Sequence, residues 1–163
     1  MHRCPFHLAL LNIGRLRAPI DSPQIKDFMD GLDAINALAE RSPGFVWRYT
    51  SPGLNNATAT RPFSDDDILI NFGTWESREQ LWDFVYRSQH LEYLVRRREW
   101  FQHMAEPFLV LWWIPAGHTP TLEEARQRLD KLRRDGPSPE AFTFRQPFEA
   151  PQNELEPTPA PDR

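Results

Sequence analysis

The sequence has a single cysteine, Cys4, and no long uninterrupted hydrophobic run among its 163 residues. One cysteine cannot form an internal disulfide, which favours a reducing compartment. None of the apolar stretches reaches the length that spans a bilayer. The run after Phe6 is interrupted by polar residues and lacks a small-residue cleavage site. We therefore expect a cytoplasmic protein that does not contact a membrane.

An excess of positive charge is also lacking, because 19 lysines and arginines stand against 23 acidic residues and the net charge is -4. This balance does not favour binding to nucleic acid through bulk electrostatics. The sequence also lacks a glycine-rich phosphate loop, a serine nucleophile elbow and a Cys-His nucleophile arrangement. It shows no regular spacing of histidine, cysteine and acidic ligands, so we predict no metal site.

Four segments predict β-strands, and their apolar residues point to both faces of a sheet. Three further segments predict helices, with apolar residues at helical spacing between start and stop signals. The middle helical stretch, residues 77–104, has apolar positions that cannot form one straight stripe, and we predict a break near residues 87–89. The predicted strands are residues 6–14, 45–49, 68–75 and 108–114, and the predicted helix caps are Ser22, Ser77 and Thr121.

Two segments fall outside this pattern of strands and helices. Phe142, Phe144 and Phe148 alternate with polar residues, which predicts an extended arm that needs an apolar partner surface. Residues 149–163 combine recurring prolines with acidic residues, which is typical of a disordered tail. The sequence therefore predicts one domain, residues 1–148, followed by the tail.

The element order β-α-β-β-α-β predicts an α+β, ferredoxin-like fold with a four-stranded antiparallel sheet and both helices on one face. The opposite face would then be bare and apolar, which a soluble protein must cover. We predict that a second copy covers it, sheet against sheet, in a dimeric α/β barrel. The alternative is cover by the extra C-terminal helix and the extended arm.

Eight motifs together carry a resemblance to a known family, and they extend over about residues 8–148. They are Leu11-Asn12-Ile13-Gly14, Asn36-Ala37-Leu38-Ala39, Gly44-Phe45-Val46-Trp47-Arg48, Asn71 with Trp75-Glu76-Ser77, Phe84-Val85-Tyr86 with His90, Arg97-Arg98-Glu99-Trp100-Phe101, Leu111-Trp112-Trp113-Ile114-Pro115-Ala116-Gly117-His118, and Gly136-Pro137 with Ala141-Phe142-Thr143-Phe144. With them the chain resembles the domain-of-unknown-function 3291 family of the dimeric α/β-barrel group, which includes antibiotic-biosynthesis monooxygenases. The resemblance implies the fold and the homodimer, but no settled activity.

His90 is the candidate catalytic residue of the second helical stretch. Related dimeric barrels that bind heme place the iron-ligating histidine on a helix near the end of the barrel, so the resemblance implies an axial ligand or a general base. Arg97 and Arg98 lie close to the same helical face and can clamp a carboxylate or heme propionates. The alternatives are a structural histidine near the helix break and solvated arginines paired with Glu92 or Glu99.

Asn12 and Asn71 are amides in otherwise apolar strands, and a buried amide needs a partner or a polar pocket. Cofactor-independent oxygenases of the barrel group are thought to use Asn, Trp and His in a cavity. The resemblance implies that these two amides and His90 act together beside tryptophans; the alternative is two structural amides. The predicted substrate-binding residues are Trp47, Trp75, Trp112 and His118, besides the two arginines, with a structural role as the alternative for His118.

These residues lead to three hypotheses about function. The first is a homodimeric, monooxygenase-like enzyme that acts on a hydrophobic small molecule, with His90 as general base and molecular oxygen as co-substrate. The second is a heme protein with His90 as axial ligand. The third is a small-molecule-binding or structural module without catalysis.

Overall fold

The strands and helices lie in the predicted order in the computed structural model, which describes residues 4–151. The predicted tail, apart from its first three residues, lies outside this range. A 3-10 turn, Pro23–Ile25, precedes the first long helix, and the predicted cap Ser22 makes no side-chain capping bond there. The strands are β1 (Phe6–Arg15), β2 (Phe45–Arg48), β3 (Ile68–Trp75) and β4 (Leu109–Pro115); the helices are α1 (Lys26–Glu40), α2 (Arg78–Arg87), α3 (His90–Trp100) and α4 (Leu122–Asp135).

The four strands form one sheet in the order β2-β3-β1-β4, and each pairing is antiparallel. This is the strand order of a ferredoxin-like fold, in which the two middle positions belong to the first and third strands. The predicted α+β architecture is therefore confirmed. Asn12 of β1 lies directly opposite Asn71 of β3 and Leu109 of β4, so these three residues share one face of the sheet.

The long second helical stretch is broken, as its apolar pattern predicts. α2 ends at Arg87, Ser88 is extended, and α3 begins at His90. The predicted cap of α2 is confirmed as well, because the Ser77 hydroxyl accepts a hydrogen bond from the Gln80 amide. The break lets α2 and α3 place separate apolar stripes on the sheet, and it places His90 at the start of a helix.

One face of the sheet, which we call the helix face, packs against α1, α2 and α3. Leu8 and Leu10 of β1, Trp75 of β3 and Leu111 of β4 lie on it and contact Phe84 of α2 in one buried cluster. Trp100 at the end of α3 is 2% exposed and closes a second cluster at the other end of this face. Between the two clusters the helices do not fill the space above the sheet.

The opposite face, which we call the far face, is covered within the same chain. Leu129 and Ala125 of α4 are fully buried against it, beside Trp112 and Phe72 of the sheet. The polar connection between β2 and β3 contributes Phe63 at the same cluster. The bare face on which the predicted dimer depended is thus absent from the described chain, because the C-terminal helix occupies it. The homodimer remains a prediction, but it is no longer needed to bury this face.

The C-terminal arm returns from α4 to the outer edge of β4. Phe142 exchanges two backbone hydrogen bonds with Leu111, at 2.8 and 2.9 Å, and its ring is fully buried. Trp113 donates its indole N–H to the Phe148 carbonyl at 2.9 Å. The predicted apolar partner of the arm is therefore the edge of the sheet, where the arm also satisfies backbone groups that an open edge would expose.

None of the helices between residues 4 and 151 is both long enough and apolar enough to cross a membrane.

Candidate functional site

A cavity of about 520 Å³ lies between the helix face of the sheet and the three helices that cover it. Its volume falls within the range of small-molecule sites. The sheet forms its floor, α1 and α3 form two walls, and the C-terminal arm with the segment after α3 forms its rim. Its lining includes Asn12, Asn36, Asn71, Trp75, His90, Tyr93, Arg97 and Phe108.

The structure brings six of the nine predicted site residues to this one cavity. These are Asn12, Trp47, Asn71, Trp75, His90 and Arg97. The Trp47 ring itself packs on Phe72 in the far-face cluster, with 5.2 Å between centroids. The other three, Arg98, Trp112 and His118, do not line the cavity. Residues from β1, β2, β3 and α3 thus meet at one place, although as many as 85 positions separate them along the chain, from 12 to 97.

His90 stands at the first position of α3, where the helix break places its ring over the cavity. Its Nδ1 lies 3.1 Å from the Val85 carbonyl oxygen. A carbonyl accepts only, so Nδ1 carries the proton and Nε2 keeps a free lone pair. The ring packs on Phe84 with 5.0 Å between centroids. Burial lowers the pKa of His90 below its ordinary value of 6.5, although the Val85 hydrogen bond acts in the opposite direction. The ring is therefore neutral near pH 7 and can accept a proton.

Asn12 and Asn71 form a pair of amides on the cavity floor. They lie directly opposite each other on β1 and β3, a position in which Cβ atoms are about 4.5–5.5 Å apart. Asn71 is exposed although it lies in a central strand, because the cavity is open above it. Neither amide has a hydrogen-bonding partner among the described side chains, so both can bind a polar group of a ligand.

Arg97 lies two turns after His90 on α3 and is partly buried in the cavity wall. Its guanidinium stacks on Phe108, with Cζ 4.6 Å from the ring centroid. Burial, with a smaller contribution from the charge on Arg98, lowers the pKa of Arg97. The stack fixes the plane of the guanidinium while leaving its N–H groups free to bind.

The neighbouring arginines have the solvated role that was the alternative prediction. Arg98 is exposed and does not line the cavity. Arg96 binds Glu99 at 2.7 Å and Asp27 at 2.9 Å, and its guanidinium lies over Trp100 at 4.7 Å. Of three consecutive arginines, one therefore faces the cavity while the other two face solvent, since consecutive helical positions point in different directions.

Trp112 and His118 lie on the far face, where both contact Glu124 of α4. The Trp112 indole donates to Glu124 Oε2 at 3.0 Å, and His118 Nε2 lies 2.8 Å from Oε1. Odd and even positions of β4 point to opposite faces, and Trp112 pairs across β1 with Ala9, a far-face residue. These contacts attach the start of α4 to the sheet, which is a structural role.

Sequence reasoning missed Tyr93 and Asn36, which line the cavity from α3 and α1. A signal for Tyr93 was present in Gly31, a glycine inside a helix, which often marks a close approach by another group. A Cβ atom at Gly31 would lie 1.7 Å from the Tyr93 Oη. Because Gly31 has no side chain, α1 leaves room for the Tyr93 ring at the cavity wall.

We expect Gly31→Ala to destabilise the protein only when Tyr93 is present. In a Tyr93→Ala background the same change should stabilise α1 by roughly 1 kcal/mol, because alanine is the better helix former. The coupling between the two sites should be about 0.5–3 kcal/mol in a double-mutant cycle measured by urea denaturation. An equal effect of Gly31→Ala in both backgrounds would contradict the contact.

No group of three or more histidine, cysteine or acidic side chains within residues 4–151 is placed to hold a metal ion.

Comparison with known proteins gives a family match and several distant structural matches. A family model described as Domain of unknown function (DUF3291) matches residues 7–158. None of the curated proteins matches the chain. The chain is similar to SnoaB, a cofactor-independent oxygenase from Streptomyces nogalater, with 14% identity, a TM-score of 0.45 and coverage of 69% of this chain and 95% of that chain. It is also similar to a conserved protein from Methanosarcina mazei Go1, with 10% identity, a TM-score of 0.45 and coverage of 68% and 93%.

Proposed function

We propose that this chain, which belongs to the DUF3291 family, is a small monooxygenase-like enzyme that oxidises a hydrophobic aromatic molecule in the cavity above the sheet. The observation that carries the proposal is the free Nε2 of His90 at the edge of a largely apolar cavity. A neutral imidazole held by a carbonyl is a suitable general base, and its lowered pKa keeps it unprotonated at neutral pH.

The two amides on the cavity floor supply the second part of the chemistry. When His90 removes a proton from an activated C–H or O–H group, negative charge develops on the substrate oxygen. In this proposal the amide N–H groups of Asn12 and Asn71 donate to such an oxygen. Their direct opposition on β1 and β3 and their place in the cavity lining support that role. Donors held in place in a water-poor site stabilise developing charge strongly. The resulting carbanion reacts with molecular oxygen.

Anthrone is a suitable test substrate, because its methylene is acidic and its anion is aromatic. The balanced reaction is anthrone plus O2 to anthraquinone plus water: one oxygen atom enters the new carbonyl, and the other leaves with the two hydrogens. Oxygen uptake and anthraquinone formation should both exceed the uncatalysed rate and stand in a one-to-one ratio. A rate equal to that of heat-denatured protein would refute the proposed activity for this class of substrate.

The rate should depend on pH through His90. The base acts only when neutral, so kcat/KM should be full at pH 7 and above and should fall as the pH decreases through the pKa of His90. Because burial lowers that pKa below 6.5, the midpoint should lie below 6.5. Kinetics between pH 4.5 and 8 check this result, with circular dichroism as a control for acid unfolding. A midpoint above 6.5 would point to another group.

Heme binding is the second candidate function, favoured by the orientation of His90. Histidines that ligate a metal usually donate their other ring nitrogen to a carbonyl or carboxylate, as His90 does to Val85. His90 would supply the axial ligand and Arg97 a partner for a propionate; bound heme would supply redox chemistry with oxygen. Titration with hemin should then shift the Soret band, and His90→Ala should remove the shift. Absence of any shift excludes this candidate.

The predicted homodimer belongs to the proposal as well, and sedimentation equilibrium at micromolar concentration tests it. The proposed chemistry uses residues of a single chain, so a monomer in solution would not refute it.

A further inference from the structure

The charge of the cavity is opposite to that of the protein. The chain carries 23 acidic and 19 basic residues, yet within the described part of the chain no aspartate or glutamate lines the cavity, whereas three arginines do. These are Arg48, Arg97 and Arg145. A basic cavity in an acidic protein favours the entry of an anion, because the lining contains positive charges and no negative ones.

Two of the three arginines are accounted for by the fold or by solvent. Arg48 donates to Glu40 Oε1 at 2.9 Å and to two oxygens of Asn55 at 2.7 Å. Arg145 is exposed on the C-terminal arm, where water solvates its charge. Neither arginine needs a ligand to satisfy its guanidinium.

Arg97 differs because its guanidinium is partly buried and has no carboxylate partner among the described residues. The charges that act on it are those of Arg98, which repels it, and Tyr86. It stacks on the Phe108 ring, which covers one face of the guanidinium, and its five N–H donors at the edge have no acceptor among the described residues. Burying a charge without an opposite charge is costly, so an anion bound here would gain both an ion pair and hydrogen bonds.

We propose that the ligand of this cavity is an aromatic carboxylic acid whose carboxylate is bound by Arg97. A single planar guanidinium with a free edge matches a carboxylate through two parallel hydrogen bonds. The proposal deepens the proposed function and depends on its use of this cavity as a small-molecule site. It adds that the substrate is a monoanion before reaction and that Arg97 determines specificity for it.

The positions of Arg97 and His90 on α3 limit the length of the acid. They are seven residues apart, which is about two helical turns or roughly 10 Å along the axis. Leu94 lies between them on the same face and also lines the cavity. An acid with its carboxylate at Arg97 and its reacting carbon at His90 therefore carries these groups at opposite ends of two or three fused rings.

Matched pairs of ligands test the proposal by isothermal titration calorimetry. The probes are 2-naphthoic acid with 2-naphthamide, and anthracene-2-carboxylic acid with its amide, at pH 7 and low ionic strength. Each pair has the same shape and differs in charge. We expect each acid to bind about tenfold or more tightly than its amide, because a hydrogen-bonded ion pair is lost with the amide.

Three variants test whether the preference for the acid depends on Arg97. Arg97→Gln should reduce the preference for the acid to within about twofold, and Arg97→Lys should keep part of it, since lysine retains the charge but not the planar fork. Arg98→Gln is the matched control: it removes the same charge from the next residue, which is exposed. It should leave the preference unchanged. Circular dichroism and urea denaturation confirm that the variants are folded.

The outcomes separate this proposal from the proposed function. Equal binding of acid and amide by the wild-type protein would overturn the proposal while leaving the cavity a small-molecule site. An equal loss in Arg97→Gln and Arg98→Gln would also overturn it, because the effect would then be general electrostatics. Failure of both ligands in both pairs to bind would overturn it together with the use of the cavity. A preference that depends on Arg97 in a protein without oxygenase activity would support it and refute the proposed reaction.

Discussion

Replacement of His90 by asparagine should slow anthrone oxidation by about 10²–10⁴-fold while the protein stays folded. The asparagine amide can still donate to the Val85 carbonyl, the bond that holds the wild-type ring at 3.1 Å. It has no basic nitrogen, so the variant removes the base and keeps the local hydrogen bond. The loss should appear in kcat more than in KM, because proton removal belongs to the transition state.

The matched control for this experiment is His103→Asn. His103 is exposed, does not line the cavity and lies in the segment between α3 and β4. Its replacement should leave oxygen uptake unchanged. If His90→Asn kept full activity, His90 would have no part in the mechanism. If the wild-type protein bound a ligand without turning it over, and His90→Asn bound that ligand equally well, the results would support a binding module without catalysis.

Leu129→Ala should destabilise the protein by about 2–5 kcal/mol, the range observed when a buried leucine is truncated. Leu129 is fully buried between α4 and the far face of the sheet, in the cluster that contains Trp112 and Phe72. Leu129→Asp should prevent folding, because it would bury an unpaired charge there. Urea denaturation followed by tryptophan fluorescence and far-UV circular dichroism measures both variants. The two signals should give the same midpoint.

Gln127→Ala on the exposed side of α4 is the control, and its effect should lie within about 0.5 kcal/mol. A Leu129→Ala variant as stable as the wild-type protein would contradict the burial of Leu129 between α4 and the sheet. A midpoint that rises with protein concentration would show that association with a second copy stabilises the folded chain, as the predicted homodimer requires.

Some of the cavity residues could be predicted from the amino-acid sequence and others could not. The spacing from His90 indicated Arg98, eight residues later, or Arg97 beside it, because both lie close to the same helical face. Only the structure distinguishes them, since Arg97 lines the cavity and Arg98 does not. Asn12 and Asn71 were accessible because amides are unusual in apolar strands, but their direct opposition depends on the register of β1 and β3. Tyr93 was not identified, because one more aromatic residue on an amphipathic helix is usually part of the core.

Two of the three predicted site residues that do not line the cavity, Trp112 and His118, lie on the far face for the same reason. Trp112 and Trp113 are adjacent in a strand, so one of them must face the cavity side and the other the far face. Composition does not distinguish them; the pairing of Trp112 with Ala9 does. His118 follows the same strand and joins Trp112 at Glu124 on the far face.

Local chemistry was enough to predict the order and type of the elements, the break before His90 and the ferredoxin-like sheet, because caps, turn residues and hydrophobic period act over a few neighbouring residues. It left three hypotheses about function open: an enzyme, a heme protein, and a binding or structural module. The cover of the far face and the isolation of Arg97 from any carboxylate required the folded chain. Both depend on which distant segments pack together, and two segments with the same apolar pattern can pack on either face of a sheet.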